Sequence, residues 1–213
     1  MDMQTGWSKN RAVLRGTVAA APATSHENHG VTYDTFPLSV CRLSGCPDVI
    51  NVIAPRSTLE TAPLSPGMEV EIQGEVRSFN NKSGQGSRLV ITLFARQIKP
   101  AEGPHCNELA LCGVLCKPPV LRRTPLGREI CDLMLAVNRR YGRADYLPCI
   151  AWGAVAQFCG ALSVGDSIAL EGRLQSRTYT KLIDGQSQER VAYEISIMRL
   201  VDQEESCIAE PGY

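Results

Sequence analysis

The sequence predicts an all-β chain made of two tandem copies of one small antiparallel barrel. Three observations carry this. Apolar residues alternate with polar ones in short runs, glycine or proline separates the runs, and the first half superimposes on the second at an offset of 97 residues. Asn10 falls on Asn107, Leu14 on Leu111, Gly16 on Gly113, Gly30 on Gly127, Leu38 on Leu135, Arg42 on Arg139, Asp48 on Asp145 and Ala54 on Ala151. One residue is then gained, and at an offset of 98 Gly67 falls on Gly165, Ile72 on Leu170 and Gly74 on Gly172.

In the second copy, strands are expected near 108–117, 129–139, 144–152, 165–178 and 190–200. Between the third and fourth, AVAQFCGALSV places Val155, Phe158, Cys159 and Leu162 at helical spacing, which predicts a helix. Its counterpart PRSTLETAPLSP has prolines at 55, 63 and 66, so any helix there must be short. The hairpins NNKSGQGSR and TKLIDGQSQER are polar and glycine-containing and are expected to be mobile in the free protein. The expected organisation is an N-terminal extension (1–9), a first barrel (10–99), a proline-glycine linker PAEGPHC (100–106), a second barrel (107–201) and a short acidic tail DQEESCIAEPGY (202–213) with no packing pattern.

A chain of 213 residues with 44% hydrophobic content has ample material for two cores. No apolar run approaches the ~20 residues needed to cross a bilayer, and MDMQTGWSKN lacks a signal-peptide core. A cytoplasmic protein with no membrane partner is therefore expected. The nine cysteines include no CxxC pair, and Cys41, Cys112, Cys131, Cys149 and Cys159 lie among apolar residues, as expected of reduced, mostly buried thiols. His105, Cys106, Cys112 and Cys116 do not have the spacing of a zinc site, and no metal or cofactor is expected. The zero net charge divides unevenly. Residues 1–106 carry 10 Lys+Arg against 9 Asp+Glu, residues 107–201 carry 12 against 9, and residues 202–213 carry 0 against 4. The acidic tail cancels a mildly basic second half, compatible with local phosphate binding.

The stretch Asp145 to Lys181 interleaves rings and cations. Tyr146 and Trp152, six residues apart, project from the same face of one strand, and the next strand runs into Arg177, Tyr179 and Lys181. Such a face suits single-stranded nucleic acid, whose unpaired bases stack on rings while cations follow the phosphates. The same spacing also fits an aromatic strand inside a barrel core.

Residues Arg122 to Gly127 (RRTPLG), Leu135 to Arg139 (LAVNR), Ala144 to Trp152 (ADYLPCIAW) and Glu171 to Tyr179 (EGRLQSRTY) resemble, in order and separation, the bacterial single-stranded DNA-binding protein family. The resemblance implies two tandem OB-folds, each a five-stranded Greek-key barrel, the second with a helix between strands three and four. It implies base stacking by Trp152, Tyr146 and Tyr179 and phosphate contact by Arg122 and Arg177, with Lys181 and Arg139 completing the candidate set. Arg123 stands where the family usually has an aromatic residue. Family members of the usual kind have one OB-fold per chain and form tetramers, so two per chain imply a homodimer with four. Their long linker and acidic, hydrophobic tip, which recruits replication partners, has no clear counterpart in the tail ending EPGY. Replication or recombination proteins remain possible partners.

Comparing the two copies separates barrel from face. Val49 stands opposite Tyr146, Pro55 opposite Trp152, Asn81 opposite Tyr179, Ser25 opposite Arg122 and Phe79 opposite Arg177. At roughly 1–3 kcal/mol per stacked base, three missing rings would leave the first barrel a weak binder. It is either mainly structural or uses other groups, among them Phe79, Tyr33, Arg77, Lys82 and Arg88. Trp7 could pack on either barrel. The function expected is a non-catalytic protein that coats single-stranded DNA in replication, recombination or mobile-element transfer. The alternative is a primosome-like OB scaffold acting mainly through protein contacts. An enzyme is not expected, since Asp145, Asp166 and Glu171 form no metal-ligand motif and no phosphate-binding glycine loop occurs.

Overall fold

The computed structural model describes residues 10–81, 89–139, 142–183 and 186–201, without the side chains of 181–183 and 186. Trp7 and the extension 1–9, Lys82 and Arg88 in the first hairpin, and the acidic tail 202–213 lie outside the described residues. Among those described, no helix is long and apolar enough to cross a membrane.

The described residues form two compact units. The first holds Arg11–Glu108 and Leu174–Glu194, and the second holds Asn10, Leu109–Arg173 and 195–201. The first repeat contributes β1 (Asn10–Val18), β2 (Ala23–Asn28), β3 (Val31–Cys41), β4 (Pro47–Pro55), α1 (Arg56–Thr61), β5 (Glu69–Asn80) and β6 (Leu89–Pro100). Antiparallel pairs join β1 to β3, β3 to β4, β5 to β6 and β1 to β5, while β4 and β6 run parallel. These five strands close on themselves. The second repeat follows the same plan with β7 (Cys106–Leu115), β8 (Val120–Arg123), β9 (Glu129–Asn138), β10 (Ala144–Trp152), α2 (Gly153–Gly160), β11 (Ser167–Ile183) and β12 (Gln186–Val201). Its closing pairs are β7 to β9 and the parallel pair β10 to β12.

Each repeat adds a strand to the expected five. β2 and β8 pair only with one strand each, β3 and β9, and are exposed along their whole length, so they carry no alternation for a sequence to display. The core strands do alternate. Ala12, Leu14 and Val18 from β1, Leu38 and Val40 from β3, and Ile72 and Val76 from β5 fill the first barrel, and Leu109, Leu111, Leu115, Leu135, Val137, Leu170 and Leu174 hold the equivalent positions of the second repeat.

The repeated glycines mark where strands approach too closely for a side chain. A β-carbon on Gly16 or Gly74 would collide with the backbone carbonyl of Ser39 or Phe94, and one on Gly172 would sit 2.5 Å from the carbonyl oxygen of Ser196. At Gly74 the ladder also shifts register between β5 and β6, so the strand bends where the barrel must curve.

Two expectations are corrected. The helix α2 ends at Gly160, before Leu162, and buries Ala156 and Cys159 while Phe158 is 58% exposed. An eight-residue helix presents only a narrow face to the barrel, and the i, i+3 pair Ala156 and Cys159 takes it. Among the thiols, Cys131, Cys149 and Cys159 are buried as expected, but Cys41 is exposed at the end of β3 and Cys112 only half-buried. Burial first, and then the neighbouring Cys131, push the Cys159 thiol up to about 11.

The segment 100–106 is tied to the first unit. The Pro104 carbonyl accepts a hydrogen bond from Arg15 at 3.4 Å, the Cys41 backbone N–H donates to His105 Nδ1 at 2.8 Å, and His105 Nε2 lies 3.2 Å from Glu69. His105 is thus engaged by backbone and carboxylate.

Candidate nucleic-acid interface

In the second unit the interface begins with β10. Its burial alternates so that Asp145, Leu147 and Cys149 face inward while Tyr146 and Trp152 face out, 49% and 41% exposed. Trp152 ends the strand. Gly153 follows with φ +57°, a left-handed conformation that turns the chain into α2 and that a side chain would resist.

β9 brings Arg122 to the same place. Ile130 pairs in register with Trp152 on one side and with Arg122 on the other, so ring and guanidinium flank one buried residue across three strands. Arg122 is exposed but oriented, donating to both carboxylate oxygens of Asp132 at 2.5 and 3.1 Å. Next to it, Arg123 donates to Glu129 at 3.0 Å, and this hydrogen bond, with one from Gln157, holds the Glu129 carboxyl below the usual range.

Arg139 has a different environment. It ion-pairs with Asp145, which is completely buried, across the β9–β10 hairpin. The first repeat preserves the arrangement, with Arg42 donating to Asp48 at 2.8 and 2.6 Å. The pair in both repeats holds the hairpin that leads into β4 or β10, and in the second repeat that hairpin carries Tyr146.

Arg177, Tyr179 and the backbone of Lys181 belong to the first unit. There the Arg177 guanidinium lies 5.8 Å from the Tyr179 ring centroid and 4.0 Å from Glu194, and Tyr179 is half-buried. The Lys181 side chain lies outside the described residues. The hairpin Leu174–Glu194 is anchored in this unit through Ser176. Its N–H donates to Asp48 at 2.7 Å, its carbonyl accepts from Arg42 at 3.0 Å, and its hydroxyl accepts from the Val49 N–H at 3.2 Å. The structure therefore brings Tyr146, Trp152, Arg122 and Arg139 into one unit and Arg177 and Tyr179 into the other.

No local signal in the sequence marks Asp132 and Glu194, the carboxylates that orient Arg122 and Arg177, because neither lies near its arginine in the chain. The two Arg–Asp hairpin pairs were findable, since Arg42 with Asp48 and Arg139 with Asp145 recur at one spacing in both copies.

Against known proteins, residues 106–201 match the profile of the single-strand binding protein family. The single-stranded DNA-binding protein of Bacillus cereus is 36% identical over 92 residues, 40% of this chain and 52% of that one. Single-stranded DNA-binding protein A of Bacillus subtilis is 36% identical over 80 residues, covering 34% and 46%. The chain spans about half the length of these sequence relatives. The crystal structure of wild-type single-stranded DNA binding protein from Thermus aquaticus superimposes with a TM-score of 0.73 at 25% identity, covering 92% of this chain and 93% of that one. The likeness runs through both repeats, and the architecture is two tandem OB-folds, with α2 between the third and fourth barrel strands of the second.

Proposed function

We propose that this chain binds single-stranded DNA with little sequence preference and coats it, without catalysis, during replication, recombination or mobile-element transfer. The observation that carries the reading is the pair Tyr146 and Trp152, half-exposed on one outer face of β10 inside the segment that matches the family profile. A ring in that setting gains roughly 1–3 kcal/mol from each base that stacks on it, whatever the base. In this reading 107–201 is the main binding domain and 10–99 its partner barrel. Trp152, Tyr146 and Tyr179 stack bases, Arg122, Arg177 and Lys181 neutralise phosphates, and Arg139 acts by holding the hairpin beneath Tyr146. A homodimer would supply four barrels in a cytoplasmic setting, where replication or recombination proteins would meet it.

The test is a fluorescence titration of the Trp7→Phe protein with oligo-dT, in which the remaining tryptophan is Trp152. Binding should quench it and weaken steeply as salt rises, because each phosphate contact releases counterions. Absence of quenching at low salt would sink the stacking proposal. Binding insensitive to salt would point to a protein-binding scaffold instead.

A further inference from the structure

Past Gly172, β11 leaves its partner on one side, and side chains take the partner's place. Gly172 pairs with Leu109 of β7 and ends that ladder. Two residues on, the side-chain amide of Asn107 donates to the Leu174 carbonyl at 2.7 Å and accepts from the Leu174 N–H at 2.9 Å. Two residues further, Asp48 accepts from the Ser176 N–H at 2.7 Å and Arg42 donates to the Ser176 carbonyl at 3.0 Å. A strand edge whose backbone groups would otherwise be left to water is thus held at two successive points by side chains of the same unit.

The second of these points is built around a buried charge. Asp48 is 1% exposed, and its carboxylate accepts two hydrogen bonds from the Arg42 guanidinium, at 2.6 and 2.8 Å. It accepts two more from Ser176, one from the N–H and one from the hydroxyl at 3.2 Å. The hydroxyl in turn accepts from the Val49 N–H at 3.2 Å. Ser176 therefore supplies as many donors to this buried carboxylate as Arg42 does, and without them the charge is short of partners. The residues that make the grip occur in both copies: Arg42 and Asp48 fall on Arg139 and Asp145 at the offset of 97, and Ser78 falls on Ser176 at 98.

The strand period then sets what the grip orients. With Ser176 turned toward Asp48, Arg177 lies on the opposite face of the strand, and Tyr179, two residues on, shares that face. There the exposed Arg177 guanidinium lies over the Tyr179 ring. A contact that served only stability could lie anywhere along β11. This one holds the residue immediately before the cation and three before the ring.

We propose that Asp48, with Arg42, is a positioning residue for single-stranded DNA binding: buried and touching no nucleotide, it grips Ser176 and so fixes where Arg177 and Tyr179 meet the strand. The inference rests on the reading of the chain as a single-stranded DNA binder. It gives the first repeat a task that does not depend on the rings it lacks. A hairpin already held in place loses less conformational entropy when DNA binds than one that must be ordered by the DNA.

The experiment is a set of anisotropy titrations of the full chain with fluorescein-labelled oligo-dT, in the Trp7→Phe background so that Trp152 quenching is followed in parallel. Ser176→Pro removes both donors to Asp48 and no bond to β7, whose ladder ends at Gly172. Ser176→Leu cannot fit where a hydroxyl lies 3.2 Å from both Asp48 and the Val49 N–H. Each is made alone and together with Arg177→Ala and Tyr179→Ala. Alone, each should weaken binding by about tenfold, the worth of roughly one stacked base, while saturating DNA still quenches Trp152. In the chain without Arg177 and Tyr179, the same change should alter affinity less than about twofold, because nothing is left for the grip to position. An equal loss in both backgrounds would show that Ser176 acts elsewhere and would overturn the proposal, as would a folded Ser176→Pro protein with wild-type affinity. If Ser176→Pro fails to fold, Ser176→Leu decides; loss of folding in both would make Ser176 a stability residue and also overturn it. Failure of the wild-type chain to bind oligo-dT at all removes the underlying reading together with the proposal, whereas wild-type binding with silent Ser176 variants removes the proposal alone.

Discussion

Arg139 and Glu71 show how differently two ion pairs act in one small fold. Arg139 neutralises a carboxylate with no access to water, so its loss is costly in a way that loss of a surface pair is not. Arg139→Ala should destabilise the chain by about 3 kcal/mol, read as a fall in denaturation midpoint, because the buried Asp145 charge keeps its desolvation cost and loses its guanidinium. Glu71 on β5 is held by Arg15 at 2.7 Å, by Lys99 at 2.9 Å and by Gln73, and these, the Arg15 hydrogen bond first, lower its carboxyl to about 2 from 4.5. A depressed folded value means the stabilisation is fully present above the unfolded value and disappears as the carboxyl protonates. Melting temperature should therefore drop as pH falls from about 4.5 through about 2. Glu71→Gln should melt lower at neutral pH and show a shallower drop across that window in circular dichroism.

At the scale of elements, close strand crossings decide more than helices do. α1 and α2 are short, and neither has a side-chain cap at its N-terminus. The crossing at Gly172 tolerates no β-carbon, since the atom it would meet is backbone of β12 and cannot rotate away. Gly172→Ala should cost about 1–3 kcal/mol from forced backbone displacement, seen in urea denaturation with an unchanged slope. An alanine tolerated without loss would mean that β11 and β12 are farther apart than described. The same element carries the hairpin whose Ser176 binds Asp48, a contact spanning 128 residues that no local pattern announces.

For the whole molecule, assembly is the property that follows from repeat number. If four barrels are the working unit, the free chain should have the hydrodynamic mass of two copies of 23.2 kDa, and a saturating oligo-dT should add its own mass without changing that number. A mass of one chain, free and bound, would refute the dimer. How much of this was legible before the fold was known differs by feature. The duplication, the alternating strands and the paired glycines could all be read, because the chain records each twice and a two-residue period is local. β2 and β8 could not, being short and exposed on every residue. By itself the sequence determined that Tyr146 and Trp152 share a face, since alternation relates neighbours along one strand. Only the tertiary structure decided that this face is the outer one and that Leu174–Glu194 joins the first unit. Inside and outside are set by barrel closure, and closure depends on pairings between residues far apart in the chain.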